Sequence, residues 1–196
     1  MKNPTQPTEV ILQPGDFYFG GAATSIRTVL GSCVSVTLWH PTRLIGGMCH
    51  YMLPFRQNNN SSAGLDGRYA EESMQLFMRA IRDAATHPAD YRVKLFGAGN
   101  MFPGLARKES CGPYTSQCEA TTCRNVSCKN IGVARSLTAK YGFNVEAEDL
   151  GGDGLRQVVF DVWSGHVWVR KPMEKLGAAG LKQRASSRFA WSLQGG

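Results

Sequence analysis

The chain predicts an α+β fold: a layered α/β sandwich in which a mixed, largely antiparallel sheet is packed by two main helices. Three observations carry this. Short runs rich in Val, Ile, Leu and Thr recur between turn residues, as strands do. Two segments, near 69–86 and 130–141, carry an apolar stripe of helical period. Glycine occurs 22 times in 196 residues, which favours many tight turns over a helical bundle.

In chain order, residues 9–19 read as a strand, a turn at Pro14 and Gly15, and a second strand. Residues 26–39 form an apolar strand, a sharp bend at Gly31, Ser32 and Cys33, and another strand with Val34, Val36 and Leu38 on one face. His40 to Arg43 turn the chain into a strand at 44–53, which Pro54 ends. Residues 56–68 are polar and rich in Gly, Ser and Asn, so a mobile loop is expected there. In the helix at 69–86, Met74, Phe77, Met78, Ile81 and Ala85 share one stripe, and His87 and Pro88 close it. Residues 91–97 alternate as a strand and run into Gly97, Ala98, Gly99 and Asn100. The second helix, at 130–141, has Val133, Leu137 and Tyr141 on one face and Gly142 as its stop. Strands follow at 143–148, 156–163 and 166–170. Residues 1–170 therefore make one domain with an irregular, cysteine-rich insertion at 104–128, and residues 171–196 make a tail.

The formal net charge is +7, and four of those charges lie in residues 171–196, where Lys171, Lys175, Lys182, Arg184 and Arg188 are opposed by Glu174 alone. Such a tail is either a disordered, solubilising segment or a contact for nucleic acid or an anionic membrane. The polar start, with Pro4 and Pro7, lacks the apolar stretch of a signal peptide, and no run approaches the length of a membrane span. A cytoplasmic protein is expected, with its six cysteines as reduced thiols.

Cys33 sits at the Gly-Ser-Cys bend between two apolar strands. A thiol attacks as its thiolate and needs a base or a positive dipole beside it to ionise near neutral pH. Gly31 permits a bend that can expose a thiol and aim free backbone N–H groups near Ser32 and Cys33 at a substrate oxygen, with Gly31 and Ser32 as the backbone support. His50 lies on the next strand, where cross-strand neighbours meet. Spacing by itself leaves two readings open: a nucleophile–base dyad, or a buried small hydrophobe beside a hydrogen-bonded packing histidine. Cys49 points to the opposite face of a regular strand from His50 and is the poorer nucleophile.

The ordered blocks in this chain resemble those of the CheD family of chemoreceptor glutamine deamidases. They are Leu30, Gly31, Ser32 and Cys33, then Gly46 and Gly47 followed by His50, Met52, Leu53 and Pro54. Tyr69, Ala70 and Glu71 open the first helix as that family's does, and residues 94–101 resemble its segment after the helix. Asn130, Ile131 and Gly132, and residues 148–152 followed by Gly154 and Arg156, resemble its later blocks. The resemblance spans about residues 9–170.

The resemblance implies a cysteine hydrolase with a Cys–His–Thr arrangement: Cys33 as nucleophile, His50 as base and Thr28 as the third member. It implies glutamine side chains of methyl-accepting chemotaxis receptors as substrates, glutamate and ammonia as products, and no metal or organic cofactor. The activity would be that of a protein-glutamine glutaminase. Nucleic acid is not an expected partner, and a membrane is met only through the receptors. Two other readings stay open: a non-catalytic adaptor for a CheC-type phosphatase, and a deamidase of another protein. The loop at 56–68 follows His50 and is a candidate wall of the site. In the insertion, Cys111, Cys118, Cys123 and Cys128 either hold a structural zinc or are unligated surface-loop thiols; the C-x2-C knuckles of tight zinc sites are missing.

Overall fold

The computed structural model describes residues 7–56, 64–101 and 125–171. Its elements run β1 (Thr8–Ile11), β2 (Phe17–Gly21), β3 (Thr24–Leu30), β4 (Val34–His40), β5 (Ile45–Cys49), α1 (Ala70–Asp83), β6 (Arg92–Gly97), α2 (Val126–Lys140), β7 (Asn144–Leu150), β8 (Arg156–Asp161) and β9 (Val167–Arg170). The strands divide between two sheets. One has the order β1-β3-β8-β9 and the other β2-β5-β4-β6-β7. β1 pairs with β3, and β6 with β7, in parallel; the remaining pairs are antiparallel, as expected for a mixed, largely antiparallel α+β fold.

The strand alternation decides the layers. Val34, Val36 and Leu38 of β4 turn to one side, where they form a core with Met74, Phe77 and Ile81 of α1 and Val133 and Leu137 of α2. Burying each of those α1 side chains contributes about 1.5–3 kcal/mol. Phe17 meets Phe77 edge to face at 4.8 Å. A second core, with Ile26, Leu30, Met48, Phe96, Val158 and Phe160, fills the space between the two sheets. The molecule is thus three layers deep: helices, five-stranded sheet, four-stranded sheet. The bend at 31–33 is not a hairpin. It carries the chain from β3 in one sheet to β4 in the other, so it lies at the mouth of the sandwich.

Helix ends differ from the sequence expectation for local reasons. α2 starts at Val126 rather than residue 130, because the Asn125 side chain caps it by accepting from the Ser127 amide at 2.9 Å. α1 stops at Asp83, short of residue 86. Ala85 takes a left-handed conformation (φ 51°), and His87 caps a separate one-turn 3-10 helix at Pro88–Asp90. Cys128 consequently sits in the first turn of α2, buried, and is not a surface-loop thiol. Cys111, Cys118 and Cys123 lie outside the described residues, as do residues 57–63 of the expected loop and residues 172–196 of the tail. The described ends of that loop are tied to α1. Arg56 donates two bonds of 2.7 Å to the Glu72 carboxylate, which also accepts from the Asp66 amide at 2.7 Å.

Candidate active site

His50 follows directly on β5. Its amide donates to the Asp16 carbonyl at 3.0 Å, and its own carbonyl accepts from the Gly15 amide at 2.7 Å. Across the other edge, Val34 and Tyr51 exchange two backbone bonds of 3.0 Å each. That pairing sets the register. Val34 and Tyr51 face the helices, so Cys33, Ser35, His50 and Met52 share the opposite face, toward the second sheet. Cys33 and His50 are diagonal neighbours on this face, a relation that brings side chains within reach of one another. Cys49 faces the helices, fully buried, and burial pushes its thiol up to about 12. The opposite orientation of Cys49 and His50 is the one the strand period predicts.

Thr28 comes from the other sheet. With Ile26 and Leu30 it lines the inner face of β3, and its hydroxyl lies 2.8 Å from His50 Nδ1. The same hydroxyl lies 2.9 Å from the Leu12 carbonyl. A threonine has one hydroxyl proton, and a carbonyl only accepts. If the proton went to Nδ1, the buried Leu12 carbonyl would lose this donor. If it goes to Leu12, the carbonyl, the hydroxyl and Nδ1 are all satisfied, with Nδ1–H donating to Thr28 Oγ1. That arrangement leaves Nε2 deprotonated, and Nε2 is buried with no hydrogen-bond partner among the described residues. The two sheets thus cooperate to present a bare imidazole nitrogen, the form a general base requires.

The electrostatics favour neutral partners. Desolvation holds the His50 pKa below its ordinary value, against smaller opposing effects of the Leu12 carbonyl and the Asp16 charge. Burial pushes the Cys33 thiol up, and its own amide and the Ser32 hydroxyl only partly offset this. The resting pair is therefore a thiol and an uncharged imidazole. Ser35, directly across the strand from His50 by register, adds a second buried hydroxyl without a partner among the described residues.

The bend holding Cys33 is anchored by its carbonyls. The Gly31 carbonyl accepts from the Gly99 amide at 2.7 Å, and the Cys33 carbonyl from the Ala98 amide at 2.6 Å. The Ser32 carbonyl accepts from Asn130 Nδ2 of α2 at 3.1 Å. The amides of Ser32 and Cys33, by contrast, donate to no backbone carbonyl among the described residues. Fixed carbonyls, with these two amides committed to no backbone acceptor among the described residues, suit the bend to the donor role of an oxyanion hole. The anchoring loop is itself held. Gly151 donates to the Gly97 carbonyl at 2.9 Å, Asn100 to the Gly152 carbonyl at 2.7 Å, and Ser127 Oγ to the Gly99 carbonyl at 3.1 Å. Beneath it the fully buried Arg156 donates to the carbonyls of Asp149 and Gly151 and, at 3.0 Å, to the Asp149 carboxylate.

The structure therefore brings Cys33, His50, Thr28, Gly31 and Ser32 to one place. Among the described residues no cluster of three or more metal-binding side chains occurs. Leu12, Asp16 and Ser35 were not singled out by sequence reasoning. They act through backbone groups or lie on strands with no distinguishing pattern. Asn130 had a readable cue: an Asn, a poor helix former, at a position that shares the inward stripe with Val133 and Leu137.

The family described as CheD chemotactic sensory transduction matches residues 52–171. A probable chemoreceptor glutamine deamidase CheD of Pseudomonas fluorescens (strain SBW25) is 46% identical over 174 residues, covering 88% of this chain and 90% of that protein. The protein of the same name from Pseudomonas syringae pv. syringae (strain B728a) is 42% identical, over 96% of this chain and 100% of its own length. The probable chemoreceptor glutamine deamidase CheD 3 of Dechloromonas aromatica (strain RCB) is 43% identical, over 86% of this chain and 91% of that protein. No helix among the described residues is long and apolar enough to cross a membrane. On both the family match and these relatives, the chain belongs to the CheD family.

Proposed function

We propose that this protein hydrolyses the side-chain amide of glutamines on methyl-accepting chemotaxis receptors, with Cys33 as nucleophile, His50 as base and Thr28 as the group that orients it. The observation that carries the reading is the Leu12–Thr28–His50 chain, which leaves Nε2 bare on the face it shares with Cys33. The names of the relatives supply the substrate class. The reaction belongs in the cytoplasm, beside the receptor's signalling domain.

The steps follow from the groups present. Nε2 takes the Cys33 proton as Sγ attacks the amide carbon. The oxyanion lies against the Ser32 and Cys33 amides. The Nε2 proton passes to the departing nitrogen, the C–N bond breaks and ammonia leaves. Water, deprotonated by Nε2, then attacks the thioester; the C–S bond breaks, the thiol is restored and glutamate is released. The product carries a negative charge where the substrate had none.

The direct test is mass spectrometry of a receptor signalling domain after incubation with the protein. Site-specific conversion of Gln to Glu is expected. Its absence on several receptors, with the protein folded and reduced, would overturn the reading.

Two further outcomes are expected. Thr28→Val keeps the shape but removes the acceptor for Nδ1–H, so the ring can adopt the wrong tautomer. A fall in kcat of about 10²-fold is expected, with KM nearly unchanged, because a misplaced catalytic group acts on the transition state. The pH profile gives the other. Activity requires neutral His50, whose pKa is lowered, so the acid limb of kcat/KM should fall at a pH below that of an ordinary histidine, near 6.5. An acid limb above that value would contradict the buried, neutral base.

A further inference from the structure

Asn130, on α2, reaches the bend through its side chain, and it is fully buried. Its Nδ2 group donates to two carbonyls at once: Ser32, beside the nucleophile, at 3.1 Å, and Met52, two residues past the base, at 2.9 Å. Its backbone carbonyl accepts from the Tyr51 hydroxyl at 3.1 Å. Both amide protons are thus spent on the segments that carry Cys33 and His50, while Oδ1 is buried with no partner among the described residues. The two donations also fix an angle. Holding the Ser32 carbonyl toward α2 turns the following peptide so that the Cys33 amide faces away from α2, since the C=O and N–H of one peptide point in opposite directions.

We propose that Asn130 is a positioning residue for catalysis. It clamps the nucleophile bend to the strand of the base, and so sets both the Cys33–His50 separation and the direction of the oxyanion-binding Cys33 amide. It touches neither substrate nor reacting atoms. The inference rests on the reading of Cys33 as nucleophile, and it adds a third structural element, the helix layer, to a site otherwise built from the two sheets.

The test uses the full chain with a receptor signalling domain as substrate, comparing wild type, Asn130→Ala, Asn130→Asp and Cys33→Ala. Rates are taken in single turnover and divided by the Cys33 thiols titrated in the folded fraction, so unfolded protein does not count. In parallel, alkylation of the Cys33 peptide by iodoacetamide is followed by mass spectrometry from acid to alkaline pH. Asn130→Ala should lose about 10²-fold in the chemical step with KM little changed. Its Cys33 alkylation profile should move relative to wild type, because the thiol has shifted against His50. Asn130→Asp, of the same shape but with an acceptor where the donors were, should lose at least as much.

A purely structural role would lower the melting temperature of both variants yet leave the rate per titrated thiol and the alkylation profile at wild-type values, and that result would overturn the proposal. The Cys33→Ala arm separates the two claims. If it still deamidates, the nucleophile assignment fails. If it is inactive while both Asn130 variants keep the wild-type rate per thiol, only the positioning inference fails.

Discussion

Cys33→Ala and His50→Ala should each lower receptor deamidation by about 10⁴-fold or more, and the double variant should be no worse than the singles. Nucleophile and base act as one unit: a thiol raised by burial does not attack without Nε2, and Nε2 has nothing to deprotonate without the thiol. What remains comes from the oxyanion-binding amides and from substrate orientation, which neither change removes. The two variants should differ in stability. Cys33 is half-buried and contributes a small side chain, so its removal costs little. His50 is buried at 2% exposure and occupies the space between the sheets, so its loss leaves a cavity beside a Thr28 hydroxyl with one partner fewer. Thermal unfolding alongside the turnover assay separates the effects. A Cys33→Ala protein that kept wild-type turnover would remove the nucleophile assignment, whereas one that lost turnover yet kept every cellular effect would move the function to the adaptor reading.

Gly97→Ala is expected to be the most damaging single methyl addition near the site. Gly97 has φ +118°, a region that L side chains rarely adopt, and a Cβ there would collide with the Cys33 carbonyl oxygen and lie 3.0 Å from Val34 Cα. The backbone strain and the forced displacement each cost about 1–3 kcal/mol, so a combined loss of about 4 kcal/mol is expected. For a chain of this size that is a fall in Tm of roughly 10 °C. Activity should fall too, because the atom displaced is the one by which Ala98 anchors the nucleophile. Gly142→Ala is the matched control. Its φ is +73°, but no atom lies within 4 Å of the new Cβ, so it bears the conformational cost of about 1 kcal/mol without the collision. Its kcat should stay at the wild-type value. Equal loss of activity in both variants would mean that global stability, not the Cys33 contact, governs the effect.

The parts of this protein that follow local rules were legible in its sequence. Strand alternation placed Val34, Val36 and Leu38 on one face and separated Cys49 from His50, because a period of two is a property of the backbone. The apolar stripes located both helices, and the errors lay at their ends, where a cap at Asn125 or a left-handed Ala85 outweighed the periodicity. Cys33 and His50 were candidates because they flank consecutive strands of one sheet, but spacing also left a packing pair open, and the resemblance singled them out. The remainder of the site depends on contacts between layers. Thr28 lies on another sheet, 22 residues from His50, and only the packing of the two sheets puts its hydroxyl on Nδ1 and its proton on Leu12. Asn130 acts on Ser32 across 98 residues, from a third layer. Residue types and spacing determined which groups could react; the tertiary packing decided which nitrogen of His50 is bare and which way the Cys33 amide points, since both are set by hydrogen bonds that no local segment contains.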